Sequence, residues 1–154
     1  MVGRAFREEL TQLIRARSPI LYVESYEEQR VLAEVVNIAH DPVVMDSPCG
    51  VWTWSATTGL VRPDGTRRGG LRPEDALGEA RRIEQPALLV FKDLHPLLGG
   101  PDRPAEPEVV RLLRDIAAVF RASRTPRAVI LVSPVAHIPP ELVKDVTLLD
   151  FPLP

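Results

Sequence analysis

The chain has 154 residues, of which 45% are hydrophobic and 26% charged, the composition of one soluble globular domain. Its net charge of −2 makes no global electrostatic case for nucleic acid or an anionic membrane, and its single cysteine, Cys49, excludes an intrachain disulfide. No apolar run approaches the ~20 residues that span a bilayer and the N-terminus has no apolar signal core, so the expected compartment is the cytoplasm.

Sixteen prolines partition the chain, and the stretches between them are the candidate elements. Phe6, Leu10, Leu13 and Ile14 predict a first amphipathic helix before Pro19. Ile20 to Glu24 reads as a continuous apolar strand of a buried parallel sheet. A helix is expected directly after it, opened by a capping box of Ser25 and Glu28 and buried along Val31, Leu32, Val35, Val36 and Ala39. Val51 to Ser55 alternates as a second strand, with Trp52 and Trp54 read as core. Leu60-Val61 followed by Pro63-Asp64-Gly65 suggests a short hairpin or exposed turn. Pro73-Glu74-Asp75 starts a third helix running to about Ile83. Ala87 to Phe91 is a third strand, Val109 to Phe120 a fourth helix, and Ala128 to Val132 a fourth strand. The stretch from Pro96 to Pro107 reads as a mobile surface connection. Pro139-Pro140-Glu141-Leu142 starts a helical turn, and Val146 to Asp150 is a fifth strand. The alternation predicts a three-layer α/β fold with a mainly parallel five-stranded sheet.

Where the first strand meets its helix, an open α/β protein commonly seats a phosphate on backbone N–H groups at the helix N-terminus. A phosphate-cradling loop needs glycines there, yet this chain has no glycine between Gly3 and Gly50, and Glu24, Glu27 and Glu28 would repel a triphosphate. The frame of a nucleotide enzyme is expected without its grip on nucleotide.

The third strand ends in Lys92-Asp93, the position where P-loop ATPases hold magnesium. The fourth ends in Ser133-Pro134, and Ile138 to Leu142 and Leu149 to Pro154 come after it. This stretch resembles the AAA-type ATPases, in which a strand ends in a polar sensor, a proline-containing turn follows, and a final strand ends in a similar Pro-Leu-Pro. More narrowly, the whole chain is similar to the N-terminal domain of one AAA subgroup, a hypothetical reading frame of cyanobacteria and plastids. The match is carried by Ile14 to Pro19, Tyr22 to Glu28, Trp54-Ser55, Phe91 to Pro96, Ser133-Pro134 and Pro139 to Leu142.

The resemblance implies a single degenerate AAA-like domain over residues 1–154, lacking the phosphate loop, with a catalytic ATPase module expected after Pro154. Ser25, Lys92, Asp93 and Ser133 are then vestigial nucleotide-site positions, and no residue is assigned as catalytic or metal-binding. Lys92 beside Asp93 would compete with magnesium, Ser133 replaces the sensor asparagine, and only Lys144 stands where intersubunit arginines would be. The chain alone is therefore expected not to be an enzyme. ATP and magnesium are expected only in the following module of a parent ATPase. The domain would act in partner or substrate docking, regulation or ring assembly, with its own C-terminal AAA module and an unidentified protein as partners. The resemblance also allows a homo-oligomer in the full-length protein.

Two alternatives stand beside this reading. One is a nucleic-acid-binding module using the Arg62, Arg67, Arg68 and Arg72 cluster, the best local basic patch, although Asp64, Glu74 and Asp75 lie close to it in sequence. The other is weak residual nucleotide binding. Asp93 reads as a structural carboxylate, His95 as a structural or surface histidine without metal-ligand spacing, and Cys49 as an inert thiol.

Overall fold

The computed structural model describes residues 2–69 and 72–151. The Pro152-Leu153-Pro154 ending used in the family resemblance lies outside them, as does Gly70 beside the arginine cluster. All five expected strands are present: β1 (Ile20–Glu24), β2 (Gly50–Ser55), β5 (Ala87–Lys92), β8 (Arg127–Ser133) and β9 (Val146–Asp150). They run parallel in the order β2-β5-β8-β1-β9. The sheet is larger than the expected five strands because β3 (Gly59–Val61) and β4 (Arg67–Gly69) add an antiparallel hairpin beside β2, making seven. Pro63-Asp64-Gly65 forms its turn, with Gly65 at φ +89°, a conformation suited to glycine.

Among the described residues, four α-helices cover the two faces of the sheet. The sheet face toward α1 (Val2–Arg15) and α2 (Glu28–Ala39) buries Leu21, Val23, Leu88, Val90, Ile130 and Val132, all against Leu10, Val31 and Val35. The opposite face toward α3 (Pro73–Arg82) and α4 (Pro107–Ala122) buries Ile20, Tyr22, Leu89, Phe91, Val129 and Leu131. Alternate residues of each central strand therefore enter opposite cores, which is why these strands read as unbroken apolar runs rather than alternating ones. Trp54 is buried and stacks on Phe91 at 5.7 Å, while Trp52 is half-buried on the same face, in keeping with the core reading of this pair.

Two local expectations are corrected. No capping box opens α2: the helix starts at Glu28 behind Glu27, without a side-chain cap, and the Ser25 hydroxyl instead accepts the Glu27 N–H at 2.9 Å. Ser25 is held out of the helix because its own N–H extends the sheet, donating to the Ser133 carbonyl at 2.9 Å. The proline-rich connection from Pro96 to Pro107 is not irregular chain. It folds as a 3₁₀ turn (His95–Leu97) and a two-stranded hairpin of β6 (Leu98–Gly100) and β7 (Arg103–Ala105), anchored by buried Leu98.

Leu89 lies at the centre of the sheet with no exposed surface, whereas Leu148 on the outermost strand is 52% exposed. Leu89→Ala is expected to destabilise the fold by ~2–5 kcal/mol in urea unfolding, and Leu148→Ala by less than about 1 kcal/mol. Equal costs would contradict this account of the core.

Candidate functional site

The connections leaving β1 and β8 run over opposite faces of the sheet: β1 feeds α2 on one side, and β8 leads through the 3₁₀ turn Pro140–Leu142 on the other. Such a divergence opens a crevice at the carboxyl ends of the two strands, the usual ligand seat in open α/β sheets. The pairings Glu24↔Ser133 and Lys92↔Val132 put the ends of β1, β8 and β5 side by side. Ser25, Ser133, Lys92 and Asp93 are thus brought to one edge of three neighbouring strands.

Hydrogen bonds bridge the crevice between β1 and β8. Only residues 25–27 separate the end of β1 from the start of α2. A phosphate loop of the GxxxxGK[ST] kind needs a longer, glycine-bearing stretch so that successive N–H groups can turn inward around the anion. Here the first such N–H, that of Ser25, is already taken by the Ser133 carbonyl. The Glu24 carboxylate spans the gap from the other side, accepting the Ala136 N–H at 3.1 Å through Oε2. An internal carboxylate thus holds a backbone donor of the loop after β8.

Beneath these bonds lies a buried hydroxyl pair. Tyr22 Oη and Ser133 Oγ are 2.7 Å apart, and Ser133 Oγ donates to the Val135 carbonyl at 2.7 Å. Ser133 has one hydroxyl proton, so when it is given to Val135 the tyrosine donates to Ser133. Tyr22 also lies 3.1 Å from the Val135 carbonyl. Burial pushes the Tyr22 phenol above its ordinary pKa, with the Ser133 hydrogen bond opposing that shift. At the position of the expected sensor, Ser133 is thus a structural pin for the loop beyond β8.

Asp93 sits at φ +56°, a left-handed conformation uncommon for a non-glycine residue, and its N–H bonds to the Val132 carbonyl at 2.9 Å. Its side chain is 60% exposed, and the nearest cation-capable group is His95 Nδ1 at 4.0 Å. Among the described residues no group of three or more His, Cys, Asp or Glu side chains is arranged to hold a metal ion. The Lys92 side chain makes no hydrogen bond or ion pair among the described residues. The glutamates at the crevice, its short connection and the adjacent Lys92 are a poor fit to a magnesium triphosphate.

The arginine cluster is remote from this edge, on and around the β3–β4 hairpin at the far side of the sheet. Arg68 pairs with Glu79 at 2.9 Å and Arg72 with Glu74 at 2.7 Å, while Arg62 donates to Thr66 Oγ1 at 3.2 Å. Arg67 is the exposed member without a side-chain partner among the described residues. Much of the local positive charge is therefore balanced within the fold.

Sequence reasoning placed Glu24 at this junction as a charge that repels phosphate, but missed its bond to Ala136 and missed Tyr22 as part of the edge. Its one available signal was the tyrosine at position 22 inside an otherwise aliphatic buried strand, because a buried phenol needs a partner. Cys49 is buried, and desolvation pushes its thiol up to about 11 from 9.0.

The profile of a family described as "SpoVK-like AAA ATPase, N-terminal domain" matches residues 6–151. The chain is 28% identical over 152 residues to the AAA domain-containing protein ycf46 of Trieres chinensis, and 27% identical over 153 residues to its counterpart in Guillardia theta. Each match covers 97% of this chain and 28% of the relative, so the chain spans under a third of the length of these proteins.

Two measurements check this geometry. Tyr22→Phe and Ser133→Ala are each expected to cost about 1 kcal/mol, with a coupling of ~0.5 kcal/mol or more in a double-mutant cycle; strict additivity would contradict the shared network. Because the Cys49 thiol is raised, the unfolded chain loses this proton first as pH rises. The stability it contributes is therefore complete below pH about 9 and lost by about 11. Cys49→Ala is expected to flatten that alkaline limb, leaving the decline that comes from Tyr22, whose pKa is also raised.

Proposed function

Because the chain belongs to the family of SpoVK-like AAA ATPase N-terminal domains, we propose that it is a non-catalytic docking domain, one that presents a rigid surface to a partner or substrate beside the ATPase module of its parent protein. The observation that carries the reading is the closed edge: a three-residue β1–α2 connection whose first N–H is bonded to β8, and a Glu24 carboxylate occupying the donor across the gap.

Opening that edge to a triphosphate would require breaking the Ser25–Ser133 bond and bringing phosphate oxygens against Glu24, Glu27 and Glu28. Each unmade buried hydrogen bond costs ~1–3 kcal/mol, and the like-charge contact adds to it. The same bonds that exclude nucleotide make the domain stiff, and stiffness is what a docking element needs to transmit the position of a neighbouring motor. ATP and magnesium belong, in this reading, to the ATPase module of the parent protein, where hydrolysis would remodel the docked target.

Calorimetric titration of this chain with magnesium and ATP is expected to give no saturable heat at millimolar nucleotide. In the full-length protein, equilibrium dialysis is expected to find one nucleotide per chain. A low-micromolar site on this chain, or two nucleotides per full-length chain, would overturn the reading.

A further inference from the structure

At the end of the sheet opposite the closed crevice, before β1, β2 and β8 begin, lies a cavity of about 460 Å³. Three arginines from two distant stretches line it: Arg15 and Arg17 at the end of α1, and Arg124 after α4. Asp46 is the one acidic residue in the lining among the described residues.

The guanidiniums are held but not used up. Arg15 Nη2 donates to the Val43 carbonyl at 2.7 Å, and Arg17 Nη2 to the Arg124 carbonyl at 3.0 Å, leaving the remaining N–H donors of each fork open. Arg124 has no side-chain partner among the described residues. Beside them Val43 is 76% exposed, and half-buried Val44 and Pro126 continue the lining, so cationic forks and apolar surface share one recess.

Arg17 stands there at a backbone cost. The Ser18 N–H bonds to the Leu13 carbonyl and the Arg17 N–H to the Ile14 carbonyl, each at 3.1 Å, the double bond of a Schellman helix end. The residue in the left-handed position of that motif is ordinarily glycine. Arg17 occupies it at φ +64°. A side chain kept where glycine would be more stable, with its guanidinium in a cavity, marks a place where a local rule is broken for function.

We propose that this cavity docks an acidic segment of a partner polypeptide, one that sets Asp or Glu side chains next to an apolar residue; the assignment rests on the docking reading above. Guanidinium forks match carboxylates in bidentate geometry. Ion pairs at exposed arginines are weak on their own, so affinity requires the ligand to cover Val43, Val44 and Pro126 as well. A free inorganic anion satisfies only the first of these requirements.

The test is fluorescence anisotropy with a labelled peptide of alternating glutamate and leucine, its glutamine counterpart, and inorganic phosphate as competitor. The glutamate peptide is expected to bind the intact chain in a salt-sensitive manner. Arg17→Gly is expected to weaken binding about tenfold without lowering Tm, since glycine fits the helix end, and Arg124→Ala is expected to weaken it similarly. The proposal is overturned by no binding at millimolar peptide, by equal binding of the glutamine peptide, by unchanged affinity in both variants, or by phosphate competing as well as unlabelled peptide. Absent peptide binding with one nucleotide per full-length chain rejects this site and leaves the docking reading. Two nucleotides per full-length chain rejects that reading whatever the peptide does.

Discussion

The passage from β1 to α2 is the constraint on which the rest of the carboxyl edge depends. Ile20 to Val23 are buried on both faces, and β1 is paired along its length to β8 on one side and β9 on the other. A strand held this way cannot slide or tilt to lengthen the connection after it. With α2 packed through Val31 and Val35 on the same core, residues 25–27 must cross the gap directly. Three residues reach the helix but leave no slack to curl around an anion. The Ser25–Ser133 bond, the Glu24–Ala136 bond and the Tyr22–Ser133 pair are consequences of that tightness, because a short connection brings polar groups together and buried polar groups require partners.

The sheet was legible in the sequence because its central strands are buried twice over. Ala87 to Phe91 and Ala128 to Val132 carry no polar residue, and only a strand covered on both faces tolerates that. Parallel strands end at the same edge, so the convergence of Ser25, Asp93 and Ser133 could be read from strand ends alone. The features hidden from the sequence were decided by tertiary contacts. Ser25 and Glu28 have capping-box spacing, but the sheet claims the Ser25 backbone first, and a local side-chain bond yields to a ladder hydrogen bond already fixed by β8. The β6–β7 hairpin was hidden by its prolines. Pro104 lies between the paired residues of a two-stranded edge, where its missing N–H costs nothing, and Leu98 supplies the buried anchor that composition obscures.

Positive φ arises here from two different causes. Asp93 and Arg17 are the non-glycine residues in that region among the described residues. Asp93 directly follows β5, with its N–H on β8, so its conformation is dictated by the way the chain leaves the sheet. Arg17 ends α1 in a motif that glycine serves better, so geometry alone does not select arginine there. Sequence periodicity marks where α1 stops but carries no information on the handedness of the residue after it, and the cationic cavity was accordingly invisible before the fold placed Arg124 beside Arg17.

Net charge conceals the resulting polarity. The exposed acids Glu24, Asp93 and Asp150 lie at or just past the ends of parallel strands at one end of the sheet, while Arg15, Arg17 and Arg124 gather at the other. A chain near neutrality overall therefore has a repulsive face toward polyanions at the carboxyl edge of its sheet and an attractive recess at the opposite end. The two ends share β1, whose first residue is three positions beyond Arg17 and whose last is Glu24. Because that strand is paired along its length on both sides, the two ends are joined by one stretch of buried, doubly paired backbone. In the docking reading proposed above, a domain built on this frame would report occupancy by where it sits, without changing its own fold.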